Sequence, residues 1–130
     1  MTTTYCTDGD IDDAFGNQNV TTWSDLDNDG NAVTIAARKD RARVVSKAKI
    51  DDVLRDTHYT LPITNQAGVT PVGIVDLEAR LAGIWLYESR GVTDFHPQTG
   101  APYHRLSFVR REAKQQLEEI RAGRLKPDAL

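Results

Sequence analysis

The chain has 130 residues, 39% hydrophobic and 27% charged, with a formal net charge of −3. That is enough chain for one domain, residues 1–130, to bury about two-thirds of its unfolded surface, so neither a disulfide nor a metal is needed for folding. The acidic balance gives no whole-chain case for binding nucleic acid. Cys6 has no partner for an internal disulfide, which fits a reducing compartment and a small, near-terminal apolar role. A basic-then-apolar leader and an apolar run of membrane-spanning length are both missing from the sequence, so the chain is expected to be made in the cytoplasm.

Residues 1–7 read as a polar arm with Tyr5 as its anchor. Thr7-Asp8-Gly9-Asp10 is a helix start, with Thr7 or Asp8 as cap and acids where the helix dipole favours them. Ile11, Ala14 and Phe15 then share a face, and Gly16-Asn17 is a stop. Gln18 to Trp23 is ambiguous: Val20, Thr21, Thr22 and Trp23 suit an extended segment, yet one strand makes no sheet. Ser24 to Asn31 is acidic and turn-prone, full of side chains that bond their own backbone.

The run from about Val33 to Thr57 lacks Gly and Pro and is rich in helix formers, which predicts a helix of about 25 residues and about 37 Å. Pro62 closes it, because the residue before a proline avoids the helical region. Ala37, Val44 and Ala48 form one apolar row, with Ala42, Val45, Ile50, Val53 and Leu54 on others. Two apolar faces suggest a helix sandwiched within its own chain or between this chain and a neighbour. Arg38, Lys39, Arg41, Arg43, Lys47 and Lys49 are interleaved, and read as a solvated face or subunit contacts before a nucleic-acid stripe.

Leu61 to Pro71 is an extended connection turning at Asn65-Gln66-Ala67-Gly68. A third helix follows, with Thr70 as N-cap and Pro71 at its first position. Its apolar residues Ile74, Leu77, Leu81, Ile84 and Trp85, flanked by Val75, Ala82 and Leu86, mark the buried central helix. Ala79, Ala82 and Gly83 are small enough to admit another helix closely. Ser89 to Ala101 is a loop, and Pro102 can open a fourth helix carrying Leu106, Val109, Ala113, Leu117 and Ile120 at helical spacing. Gly123 ends it and leaves a tail, residues 123–130. The expected fold is all-α, a bundle of about four helices with one long helix, extended loops and terminal arms.

Few residues form a chemical constellation. Asp25-Leu26-Asp27-Asn28-Asp29-Gly30 matches the first half of a calcium loop, where alternate carboxylates converge on a cation. Its twelfth position is Ala36 instead of a bidentate Glu, so Asp25, Asp27 and Asp29 read as a turn and helix cap that holds a cation weakly at most. His58, His96 and His104 lack metal-ligand spacing. Asp51, Asp52, Asp56, Glu78 and Glu88 lie on helices, where such acids are mostly exposed or paired with Arg55 and Arg80. The residues suggest no catalytic, cofactor or metal site, and the chain is expected not to be an enzyme.

Taken in order, these features resemble the head–tail adaptor (connector) proteins of tailed bacteriophages. The shared pattern is a short helix after a tyrosine, Tyr5 to Gly16, then a Trp/Thr-Asp-x-Asp-x-Asp-Gly lead-in, Trp23 to Gly30. The long helix ends in Ile50, Asp51, Leu54, Tyr59, Leu61 and Pro62, with His58-Tyr59 where the family usually carries Arg-Tyr. An apolar helix, Asp76 to Tyr87, and a final helix closing on Gly123 to Leu125 complete it. The resemblance implies a protomer of a ring, typically about twelve subunits, in the virion neck beneath the portal protein. Such a ring lets DNA pass without sequence-specific binding, and docks a stopper or tail-completion protein with no membrane partner. It suggests Arg121, Arg124, Leu125, Lys126 and Pro127 as portal contacts, while Arg38, Arg41, Val45 and Lys49 are candidates for the ring interface. The rival expectation is a small phage-encoded helical regulator that binds nucleic acid through the cations of the long helix.

Overall fold

The computed structural model describes residues 4–55, 57, 59, 61–64, 69–89, 94–95, 102–103 and 106–123. It is all-α: α1 Asp8–Phe15, α2 Asn17–Ser24, α3 Ala32–Leu54, α4 Val72–Ser89 and α5 Ser107–Arg121. The only strands among the described residues are β1, Asp94–Phe95, and β2, Pro102–Tyr103, antiparallel with Asp94 opposite Tyr103 and Phe95 opposite Pro102.

Thr7 caps α1 in a capping box. Its Oγ1 accepts from Asp10 N at 3.3 Å, and Asp10 Oδ2 accepts from Thr7 N at 2.8 Å. Gly16 ends α1 at φ 91°, a left-handed conformation suited to glycine. The chain then starts a second helix at once, correcting the extended reading of Gln18 to Trp23. Tertiary packing overrides the β-branched propensity of Val20-Thr21-Thr22. A helix buries Val20, and sets the Trp23 ring edge-on between Phe15 and Tyr87, each centroid 5.4 Å away. On α1 Ile11 is buried and Phe15 half-buried, but Ala14 is exposed.

Asn31 caps α3, its Oδ1 accepting from Val33 N at 3.0 Å and Thr34 N at 3.3 Å. The helix runs 23 residues, about 34 Å. It stops at Leu54 instead of Thr57, because Thr57 turns back and donates N–H and Oγ1 to Leu54 O. Its buried residues are Lys39, Ala42, Ser46, Ile50 and Leu54. Ala37, Arg41 and Ala48 are exposed and Val44 is half-buried, so the row read from Ala37, Val44 and Ala48 points away from the chain's own core.

The hub is α4, ten of whose residues are buried. It packs against α1, α2, α3 and α5. One apolar cluster joins Ile74, Leu77, Leu81 and Ile84 to Ile50, Leu54, Tyr59, Ile63, Ala113, Leu117 and Ile120. The other joins Ala79, Ala82 and Leu86 to Ile11, Val20, Ala42 and Cys6. Pro71 immediately precedes the helix and its carbonyl accepts from Ile74 N and Val75 N, one residue from the expected start. The last helix begins at Ser107, five residues after Pro102, which instead pairs in the β1–β2 ladder. On it Ala113, Leu117 and Ile120 are buried as their spacing predicts, with Leu106 and Val109 packed beside them.

Candidate functional site

Three places in the described structure group polar side chains in a way that could serve a function: a buried strap at the N-terminus, the turn before α3, and a cleft between α3, α4 and α5. The strap is built on Glu78, which is 0% exposed. Its Oε2 accepts from Tyr5 N at 2.9 Å, and its Oε1 accepts from Cys6 N at 3.0 Å and Cys6 Sγ at 3.1 Å. Burial pushes the Glu78 carboxyl above its ordinary value, and these three donors, with Arg43, pull partly against it. The Cys6 thiol is pushed far up by burial and by the Glu78 charge, so it is an inert, protonated donor. Glu78 was expected to be exposed or paired with arginine. Its helical position is that of a core residue, one after Leu77, and sequence carries no mark of the backbone donors that satisfy it.

Tyr5 anchors the strap from its other end. Its hydroxyl donates to Asp51 Oδ1 at 2.5 Å and accepts from Ile63 N at 3.1 Å. Burial, then the Asp51 hydrogen bond, raises its pKa strongly. Lys47 pairs with Asp51 at 2.6 Å and lies 5.1 Å from the Tyr5 ring centroid. One turn earlier Arg43 donates to Thr4 Oγ1 at 2.6 Å and Cys6 O at 3.1 Å, and pairs with Asp40 at 2.5 Å and Asp8 at 2.7 Å. One turn earlier again Lys39 pairs with Asp12 at 3.1 Å. Lys39, Arg43 and Lys47, spaced four apart, therefore hold the strap and α1 onto α3.

The ring-interface candidates divide. Arg38 is half-buried, donates to Ser89 Oγ at 2.7 Å and stacks 4.6 Å from the Trp85 ring centroid. Val45 is half-buried, whereas Arg41 and Lys49 are exposed. Arg121 pairs with Glu118 at 2.9 Å on the exposed end of α5. Arg124, Leu125, Lys126 and Pro127 lie outside the described residues, as do His58, His96, His104 and Asp56.

In the turn before α3, Asp25 Oδ1 accepts from Asp29 N at 3.2 Å and Oδ2 from Gly30 N at 2.9 Å, while Asp29 Oδ1 accepts from Asn31 N at 3.0 Å. Asn28 and Gly30 take φ 54° and 68°, closing the turn. Asp25 is thus spent on backbone donors. Among the described residues no group of three His, Cys, Asp or Glu side chains could hold a metal ion.

The cleft has a volume of about 380 Å³. Val53, Leu81, Ile84, Trp85 and Leu117 form its apolar floor, and Lys49, Asp52, Glu88, Arg110 and Lys114 its rim. Arg110 pairs with Glu88 at 3.1 Å and Asp52 with Arg55 at 3.0 Å. No helix among the described residues is long and apolar enough to cross a membrane.

Residues 5–129 match the family model described as "Bacteriophage Mu, Gp36". The chain belongs to the bacteriophage Mu Gp36 family. The match covers the strap, all five helices and nearly the whole tail, so it is a phage protein over its full fold. Comparison with curated proteins finds no match.

Proposed function

We propose that this Gp36-family protein is a structural, non-enzymatic virion component: a head–tail adaptor in the phage neck. Its copies would form a ring beneath the portal protein, extend the DNA channel and dock a stopper or tail-completion protein. The observation that carries the reading is the long helix, which buries one face in its own core and leaves Ala37, Arg41 and Ala48 exposed on another. Small side chains beside one cation suit close packing of a neighbouring helix. Ring closure needs such a heterologous surface, and weak protomer contacts become tight when many act together.

The nucleic-acid rival loses much of its support, since Lys39 and Arg43 pair with Asp12 and Asp8 of α1, Lys47 pairs with Asp51 beside the Tyr5 ring, and Arg38 stacks on Trp85. A gel shift at two salt concentrations separates the readings; a complex with steep salt dependence favours the rival. The adaptor reading is tested by electron microscopy of the protein mixed with its portal, with a ring on the portal expected. Arg41→Glu with Ala48→Glu should weaken that ring without altering the fold. Unchanged attachment would remove this face from the interface. Arg38 is unsuited to the same test, because reversing its charge would also break the Trp85 and Ser89 contacts.

A further inference from the structure

We propose that the acidic turn before α3 of one protomer seats in the α3–α4–α5 cleft of the next, head to tail, with Leu26 on the apolar floor and Asp27 and Asp29 against Lys49 and Lys114. The proposal rests on the reading that copies of this chain assemble side by side, and names the contact between them.

The turn is made for insertion. Leu26 is 41% exposed although it is a large apolar residue, and it stands between acids. Asp27 and Asp29 are exposed beside it. The backbone around them is already fixed, by Asp25 accepting from Asp29 N and Gly30 N and by Asn31 capping α3. Little ordering entropy is left to lose on docking.

The cleft complements it in shape and in charge. Its volume of about 380 Å³ is within the range of clefts that take small ligands. Of its five charged rim residues, Arg110 and Glu88 pair with each other and Asp52 pairs with Arg55. Lys49 and Lys114 are exposed and form no ion pair among the described residues. Two ammonium groups without an ion pair among the described residues thus border an apolar floor, and two exposed carboxylates follow an exposed apolar side chain.

The turn cannot set its carboxylates against Lys49 of its own chain. It ends at Asn31, where α3 begins, and Lys49 lies eighteen residues on, about 27 Å along the helix axis. The contact therefore joins different protomers, through different surfaces on each. That is the heterologous geometry which, repeated, closes a ring.

Charge reversal with rescue tests this. One variant carries Asp27→Lys and Asp29→Lys, the other Lys49→Glu and Lys114→Glu; all four positions are exposed, and a thermal melt checks each fold. Self-association is followed by sedimentation up to roughly millimolar protein, because exposed ion pairs are individually weak. Wild type is expected to form species larger than a dimer, and less so in high salt. Each variant alone should associate roughly tenfold more weakly or worse, and an equimolar mixture should recover, since each turn then meets a cleft of opposite charge. Leu26→Asp, which leaves Asp27 and Asp29 in place, should also weaken association. Monomeric wild type, an end point at a dimer, wild-type association by either variant, or a mixture that fails to recover overturns the contact. Portal attachment is read separately. Attachment retained without charge rescue removes the contact and leaves the adaptor reading, whereas rescue without portal attachment does the reverse.

Discussion

A carboxylate taken fully out of water is costly unless donors replace its lost hydration. Glu78 has three, from Tyr5 N, Cys6 N and Cys6 Sγ. Burial still holds its pKa above the ordinary carboxylate value, which fixes the sign of the pH dependence. Between the unfolded value and the raised folded one, the native state binds more protons than the unfolded chain. The stabilisation linked to this proton is therefore full in acid and falls as pH rises through that window. Glu78→Gln removes the titration and sets an amide NH₂ against backbone N–H donors, a loss of about 1–3 kcal/mol for an unsatisfied buried group. Urea denaturation from acid to neutral pH should show the gap between wild type and Glu78→Gln widest in acid and narrowing upward. A gap independent of pH would mean that Glu78 titrates alike in both states. Ser46 gives the opposite case. Its Oγ is buried without a hydrogen-bond partner among the described residues, so Ser46→Ala should be neutral or stabilising by up to about 1 kcal/mol; a clear loss in the same measurement would reveal a bond at that hydroxyl.

At the scale of elements, periodicity made α4 and α5 legible, because each buries a stripe along its own length. Ile74, Leu77, Leu81 and Ile84, and Ala113, Leu117 and Ile120, are buried where their spacing puts them. The capped start of α1 was equally plain from Thr7 to Asp10. Less was legible where burial depends on distant partners. Val20 and Trp23 become a helical pair only because Phe15 and Tyr87 wait on either side, and the basic residues of α3 look solvent-facing until the strap lies across them. Much of the candidate site belongs to this second class: neither the strap at Glu78 nor the cleft arises from any one segment. The small stripe on α4 is an intermediate case, since Ala79, Ala82 and Gly83 announced a close approach without naming what approaches. It is α1. A Cβ on Gly83 would overlap the Phe15 ring at Cε2 and Cδ2. Gly83→Ala should gain about 1 kcal/mol of helix propensity and lose about 1–3 kcal/mol to overpacking. A net drop in midpoint is expected, with the Phe15–Trp23–Tyr87 ring stack disturbed in near-ultraviolet circular dichroism. A variant more stable than wild type with an unchanged aromatic spectrum would show that α1 gives way freely.

For the whole molecule, the strap joins what α4 divides. Tyr5 belongs to the apolar cluster with α5, and Cys6 to the cluster with α1 and α2, while Glu78 binds the backbone of both. Arg43 and Lys47 hold the same two residues from α3, through Cys6 O and the Tyr5 ring. Chain termini are ordinarily where residues can be removed at little cost. Here, deleting the residues up to Cys6 would take all three donors from the Glu78 carboxylate, strip Tyr5 from one cluster, and uncouple Arg43 and Lys47 from the strap. Hydrogen bonds to a charged group are worth about 1.5–3 kcal/mol each, so losing these together with the Tyr5 ring removes a large share of a small domain's stability. The truncated chain should therefore unfold at much lower urea. With one link between the clusters gone, and only α3, α4 and the Phe15 ring left to join them, its transition should also be broader, with a smaller slope against denaturant. Adding Glu78→Leu to the truncation separates the two contributions. It removes the orphaned charge and should recover part of the midpoint, while leaving the transition broad because the strap is still absent. Recovery of both midpoint and slope would mean that the strap serves only to satisfy Glu78, and that the helices couple the clusters by themselves.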